Sequence, residues 1–119
     1  MNTWHLLTNI TRYDSNEIFA QAGAGKDCLW FSGHFPGDPI LPGIAQLALV
    51  MDSLHQAFKT KIRISGLKRV RFRQIIRPGD PLKINIKKNK GNAQSYSFKI
   101  MTKDEIACAG TIIIEKPDY

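Results

Sequence analysis

The sequence predicts an α+β domain in which one central buried helix is wrapped by a curved antiparallel sheet. Three observations carry that expectation. A loop rich in proline and glycine ends at Pro42, and the run over residues 44–51 that follows is apolar almost all round. A helix of that kind is buried on every side, not laid on a surface. From residue 62 to residue 115, apolar and polar residues alternate in segments separated by turn chemistry, the pattern of half-buried strands. With 119 residues, 43% hydrophobic and 23% charged, the chain reads as a single domain, 1–119, with one modest core.

The elements follow in order. Residues 16–23 read as a first strand, and a long loop runs from Lys26 to Pro42. A loop of that length in a small domain is usually functional. The helix extends from Pro42 to about Phe58, with Pro42 in the first turn, where its missing N–H is not needed. Residues 62–76 form a long strand in which Val70 and Phe72 alternate with Arg69, Arg71 and Arg73. Arg77-Pro78-Gly79-Asp80 is a turn. Residues 82–89 set Leu82, Ile84 and Ile86 against Lys83, Asn85 and Lys87, and Lys90-Gly91-Asn92 turns the chain. Residues 94–102 and 105–115 are the last strands, joined at Lys103-Asp104. The expected order is strand, helix, then an antiparallel meander of four strands.

Charge and cysteines narrow the function classes. The net charge of +7 favours acidic partners: nucleic acid, an anionic membrane or an acidic carrier protein. Neither an RNP-type aromatic pattern nor a helix-turn-helix pattern is present, so nucleic acid is not expected. No apolar run reaches membrane-spanning length, and Met1-Asn2-Thr3-Trp4-His5 lacks the form of a signal peptide, so the expected location is cytoplasmic. Cys28 and Cys108 have no metal-type spacing and read as free thiols, inert in packing. No metal or redox cofactor is indicated.

The segment Ser32-Gly33-His34-Phe35-Pro36-Gly37-Asp38-Pro39-Ile40-Leu41-Pro42-Gly43 is the candidate site. Proline and glycine at that density fix an irregular loop, which holds His34 beside the start of a buried helix. Histidine is the side chain best suited to moving a proton near neutral pH. A lone histidine in such a loop is more often structural; His55, near the helix end, is read as structural or solvent-facing, and His5, near a terminus, as having no part in the site.

The segment resembles the signature of bacterial 3-hydroxyacyl-acyl-carrier-protein dehydratases of the FabA/FabZ type, which have the hot-dog fold. Their pattern is Gly-His-Phe-Pro, two residues, Pro, two apolar residues, Pro-Gly, then the central helix. Val70-Arg71-Phe72-Arg73 and Arg77-Pro78-Gly79-Asp80 are also similar to the family's strand and turn, and the likeness runs from about Thr11 to Glu115. Pro42-Gly43-Ile44-Ala45-Gln46-Leu47 is similar to the helix start of relatives linked to aryl-polyene assembly. The resemblance implies that His34 removes the substrate's α-proton and that the backbone amide of Gly43 polarises the thioester carbonyl. It also implies a helix carboxylate fourteen residues after the histidine, where this chain has Ala48.

Dehydration of a 3-hydroxyacyl thioester needs a base at C2, a donor for the enolate oxygen and an acid for the departing hydroxyl. Loss of a positioned acid typically costs roughly 10²–10⁴ in rate. Asp52 lies one turn beyond Ala48 on the same helix face and can stand in through a water. The other candidates are a water, His34 acting twice, or a carboxylate from a partner subunit, because the resemblance implies dimers in which the histidine of one chain meets the carboxylate of the other. Phe35, Pro42, Gln46 and Ala48 are expected to line the substrate site, with Gln46 orienting a water or a substrate oxygen. The resemblance also implies a substrate carried on the phosphopantetheine arm of acyl carrier protein or coenzyme A. Lys68, Arg69, Arg71, Arg73 and Arg77 either dock an acidic carrier or form a solvated face. The expected assembly is a homodimer, a higher oligomer of dimers, or a heterodimer. The alternatives to a dehydratase in fatty acid or polyketide-type biosynthesis are a thioesterase and a non-catalytic acyl-binding or partner subunit.

Overall fold

Period-two burial along the strands builds the wall of the core. The computed structural model describes residues 7–13, 16–23, 41–59, 62–91 and 94–115. The elements are β1 (Leu7–Tyr13), β2 (Glu17–Gly23), α1 (Gly43–Phe58), β3 (Arg63–Phe72), β4 (Pro81–Lys88), β5 (Ser95–Thr102) and β6 (Glu105–Glu115). They form a six-stranded sheet in the order β1-β2-β4-β5-β6-β3, antiparallel at every junction. Directly paired residues share a face, so the register reads out the inner surface. Ala20 faces Ile84, Ile84 faces Ile100 and Ile100 faces Cys108; beside that row run Ile18, Ile86, Phe98 and Gly110. Each fully buried isoleucine contributes about 1.5–3 kcal/mol relative to exposure.

The helix closes this core with one face. Ala45, Gln46, Leu49, Val50, Ser53, Leu54 and Ala57 are buried, a stripe at three- and four-residue spacing. Ser53 sits in it because its Oγ donates to the Leu49 carbonyl at 2.9 Å. Phe58 at the helix end meets Tyr96 edge to face, with centroids 6.1 Å apart. His55 Nε2 lies 3.0 Å from the carbonyl oxygen of Ile62 and ties the helix end to the entry of β3, as the structural reading expects.

The fold corrects the sequence reading in four places. The helix is not buried all round: Ile44 is 68% exposed, and Leu47, Ala48, Met51 and Asp52 are half-buried. One sheet from one chain covers one helix face. Pro42 is the N-cap and not a first-turn residue, with the helix starting at Gly43. β1 escaped notice because register shifts fall between Leu7 and Asn9 and between Ile10 and Arg12. Each bulge inserts a residue and breaks the period-two signal. The strands after the helix are not a simple meander, for β3 ends at Phe72 and pairs with β6, while β4 pairs with β2 and β5. The turn itself is where the sequence put it. The Asp80 amide donates to the Arg77 carbonyl at 3.1 Å, the Arg77 amide donates to Asp80 Oδ2 at 2.8 Å, and Gly79 has φ 89°. Turn chemistry marks a reversal without naming the strand's partner.

β3 lies on a sheet edge and carries two irregularities, between Ile64 and Gly66 and between Lys68 and Arg71. Arg69 takes the left-handed conformation there, with φ 57°. Opposite this bulge, a Cβ on Gly110 would stand 2.9 Å from Val70 Cγ2, 3.0 Å from Val70 Cα and 3.1 Å from Phe98 Cζ. Gly110→Ala is therefore expected to destabilise the fold by about 1–3 kcal/mol through overpacking, read as a lower urea midpoint. An unchanged midpoint would mean that β3 is free to move outward.

Candidate functional site

The helix start is the chemical centre of the described structure. Pro42 offers no side-chain oxygen, no acidic residue lies in the first turn, and no side-chain cap is formed. The amides of Ala45 and Gln46 both donate to the Pro42 carbonyl, at 3.0 and 3.2 Å. Among the described residues, nothing accepts from the amides of Gly43 and Ile44. The first amides of a helix are orphan donors with the positive end of the helix dipole behind them, so this terminus can hold a developing oxyanion.

Three contacts fix the terminus. The Leu41 amide donates to the Ile76 carbonyl at 2.8 Å, joining the entry of α1 to the segment after β3. Gln46, 3% exposed, donates from Nε2 to the Leu41 carbonyl at 3.2 Å. Its Oε1 is buried with no hydrogen-bond partner among the described residues, an acceptor whose desolvation costs about 1–3 kcal/mol if nothing meets it. Phe72 forms the third contact. A Cβ on Gly43 would lie 2.7 Å from Phe72 Cζ and 3.1 Å from both Cε atoms, so only glycine leaves room for the ring. Phe72 is itself 51% exposed and forms one wall of the helix start.

The expected residues separate into groups. Pro42, Gly43 and Gln46 are brought together at the helix start. Ala48 and Asp52 continue the row begun by Ile44 along the half-open helix face. Among the described residues the Asp52 carboxylate has no hydrogen-bond or ion-pair partner. At 1.5 Å rise per residue it sits roughly 13 Å along the axis from Gly43, against about 7 Å for Ala48. A group two bonds from a carbonyl carbon held at the Gly43 amide would lie beyond direct reach of Asp52. His34 and Phe35, with most of the loop before Leu41, lie outside the described residues, as do His5, Cys28 and Asn92.

The basic stripe is divided. Register puts Lys68 beside Thr111 and Arg71 beside Ala109, on the sheet face away from the core. Arg69 occupies the bulge, and Arg73 and Arg77 lie beyond β3, flanking the segment bonded to Leu41. The bulge ends the strict alternation that had suggested one continuous stripe. Cys108 is buried and free, and desolvation by burial pushes its thiol up to about 11, so it stays protonated and unreactive. Phe72 is the site residue that sequence reasoning missed. It stood inside the family-like Val70-Arg71-Phe72-Arg73 motif, but its contact with Gly43 spans distant parts of the chain.

These features agree with what the chain is similar to. Residues 10–111 match the family model described as ApeI-like, ApeI dehydratase. The 3-hydroxyacyl-[acyl-carrier-protein] dehydratase FabZ of Lactiplantibacillus plantarum is 36% identical over 88 residues, covering 66% of this chain and 60% of that protein. The FabZ of Syntrophobacter fumaroxidans is 30% identical over 122 aligned positions, covering 91% of this chain and 80% of the relative. The chain thus spans about 60% of the length of the first of these relatives and most of the second. Among solved structures, a chain of the dehydratase heterocomplex ApeI:P from Xenorhabdus doucetiae superposes with a TM-score of 0.81 at 25% identity, over 93% of this chain and 97% of that one. The protein PH1136 from Pyrococcus horikoshii shares the fold at a TM-score of 0.76 and 12% identity. A single long helix packed by one face on a curved antiparallel sheet is the hot-dog fold, and with the match over residues 10–111 it makes this chain a member of the ApeI-like dehydratase family.

Proposed function

We propose that the protein takes part in dehydration of 3-hydroxyacyl thioesters, with the helix start as its oxyanion site. The observation that carries this reading is the uncapped terminus, where none of the described residues accepts from the first amides and Phe72 forms one wall. His34 abstracts the C2 proton, and the carbonyl oxygen becomes an enolate oxygen held by the Gly43 amide. The C3–O bond then breaks, and the leaving hydroxide takes a proton from an acid to depart as water. The product is the enoyl thioester. The substrate reaches the site on a phosphopantetheine arm, with Arg73 and Arg77 facing an acidic carrier.

The acid is assigned to a partner subunit. Ala48 has no proton to give, and Asp52 is too far along the helix for direct contact. Two features support a partner on this side. The helix face bearing Ala48 is half-open in the single chain, and the inward row of the edge strand β3 leaves Ile64 40% and Leu67 42% exposed. The similar ApeI:P assembly is by its own description a heterocomplex. A homodimer would place Ala48 at both sites, so the assignment favours two different chains.

The deciding assay follows enoyl product and free thiol from a carrier-bound 3-hydroxyacyl thioester, using the purified chain beside His34→Ala, Asp52→Asn and Ala48→Glu. The isolated chain is expected to be slow, and Ala48→Glu to raise enoyl formation by roughly 10² or more by restoring the acid. Asp52→Asn is expected to change little. Full activity of the isolated wild type, with no gain from Ala48→Glu, overturns the partner assignment. Thiol release without enoyl product makes the protein a thioesterase.

The oxyanion role is tested at Gly43. Gly43→Ala pushes the half-exposed Phe72 ring aside, so stability should change by less than about 1 kcal/mol, while misplacement at the site should lower kcat/KM roughly tenfold or more. The readouts are thermal unfolding and initial rates, and Gly43→Ala paired with Phe72→Ala should recover part of the rate.

A further inference from the structure

The sheet face turned away from the helix carries a cationic surface that the dehydration chemistry does not use. Row by row, Arg71 aligns with Ala109, Lys99, Asn85 and Phe19, while Lys68 aligns with Thr111, Ser97, Lys87 and Glu17. Met101, Lys83 and Gln21 form the next row. Lys68, Arg71, Lys83, Lys87 and Lys99 are all exposed. Lys83 and Lys87 are both diagonal neighbours of Lys99, about 7–8 Å away between Cα atoms. Like charges so close raise the local potential and attract an anion. Among the described residues Glu17 is the carboxylate in these rows; it lies directly across from Lys87 and accepts from Asn85 Nδ2 at 3.0 Å, which leaves the rows with an excess of cations.

Two adjoining hollows lie between these cations. One, of about 320 Å³, includes Phe19 and Met101 in its lining together with Lys83, Lys99 and Glu17. The other, of about 290 Å³, includes Ile106 and Ala109 together with Lys87, Lys99 and Ser97. They share Asn85 and Lys99, so the surface is a shallow, mainly apolar trough with ammonium groups along it. Lys83 and Lys87 are roughly 13 Å apart along β4. Two turns of an α-helix span about 11 Å, so carboxylates two turns apart on one helix can meet both lysines.

We propose that this trough docks an acidic amphipathic helix of another protein, carboxylates on Lys83, Lys87 and Lys99 and apolar side chains in the two hollows. A flat membrane would leave the hollows empty, and single-stranded nucleic acid would call for stacked aromatics and arginines along its path. The partner sits on the side of the sheet opposite α1 and leaves the helix start open. The contact therefore serves assembly and not delivery of substrate.

The test uses a fluorescein-labelled amphipathic helix of about 20 residues built from Leu, Ala and Glu, followed by fluorescence anisotropy. Lys83→Glu with Lys99→Glu is compared with Arg73→Glu with Arg77→Glu, which makes the same change in net charge on the other side. The outer-face pair is expected to weaken binding roughly tenfold or more, and the other pair by less than about threefold. Lys83→Gln with Lys99→Gln should give a smaller loss in the same direction and serves where the reversal impairs folding. Turnover of a carrier-free thioester should be unchanged by the outer-face pair, which separates this result from any failure of the dehydratase reading. Equal loss in both pairs, or loss only with Arg73 and Arg77, overturns the proposal. So does binding to vesicles of phosphatidylglycerol and phosphatidylcholine that the outer-face pair abolishes, when the peptide does not bind.

Discussion

A helix that begins on proline has no side-chain cap to offer its own first turn. Here the deficit becomes the site. Pro42 supplies a carbonyl to Ala45 and Gln46, and among the described residues nothing accepts from the Gly43 and Ile44 amides. Such a terminus would ordinarily fray or be solvated. It is held in place from behind by the Leu41–Ile76 hydrogen bond and from within by Gln46, whose amide bridges back to Leu41. Because Ile76 belongs to the segment after β3, the placement of the helix start depends on where the edge strand ends. The sheet order that frustrates a simple meander is thus the order that brings β3 and its exit past the start of α1.

Glycine at position 43 serves two physical demands at once. In the proposed reaction its amide would have to reach a ligand, and its Cα must tolerate the Phe72 ring, which occupies the place a Cβ would take. The ring shields the amides on one side while its exposed half faces outward. A small residue at 48 extends the opening along the helix. The half-open row Ile44, Ala48 and Asp52 is a surface that a single chain leaves uncovered, and an acid arriving from a second chain would enter along it. The carboxylate missing from the helix and the uncovered helix face are therefore two views of one arrangement.

Much of this was legible in the residues, for physical reasons that also explain what was not. The apolar run after Pro42 and the alternation around Ile84, Ile86 and Ile100 encode burial directly, so the helix and the central strands could be read. Bulges defeat that reading, since an inserted residue shifts the period, and β1 was hidden by two of them. The place of β3 was hidden for another reason. Arg77-Pro78-Gly79-Asp80 specifies a reversal through a proline and a positive-φ glycine, but strand partners are chosen by long-range packing. At the site, Pro42, Gly43 and Gln46 stood together in the sequence and stand together in space. Phe72 joins them only through tertiary structure, and the role of His34 rests on the sequence pattern.

The bulge at Arg69 also decides how a strongly basic chain presents its charge. In a regular strand, Arg69, Arg71 and Arg73 would share one face. The left-handed residue at 69 and the end of β3 at Phe72 separate them. Arg71 and Lys68 join Lys83, Lys87 and Lys99 on the outer sheet, while Arg73 and Arg77 remain near the helix start. The two cationic sets adjoin at Arg71 and Arg73 and diverge from there, one across the outer sheet and one along the segment bonded to Leu41. Each can then act on its own anionic partner. A substrate carrier at one and an acidic helix at the other would bind without competing, which a single continuous stripe would not allow.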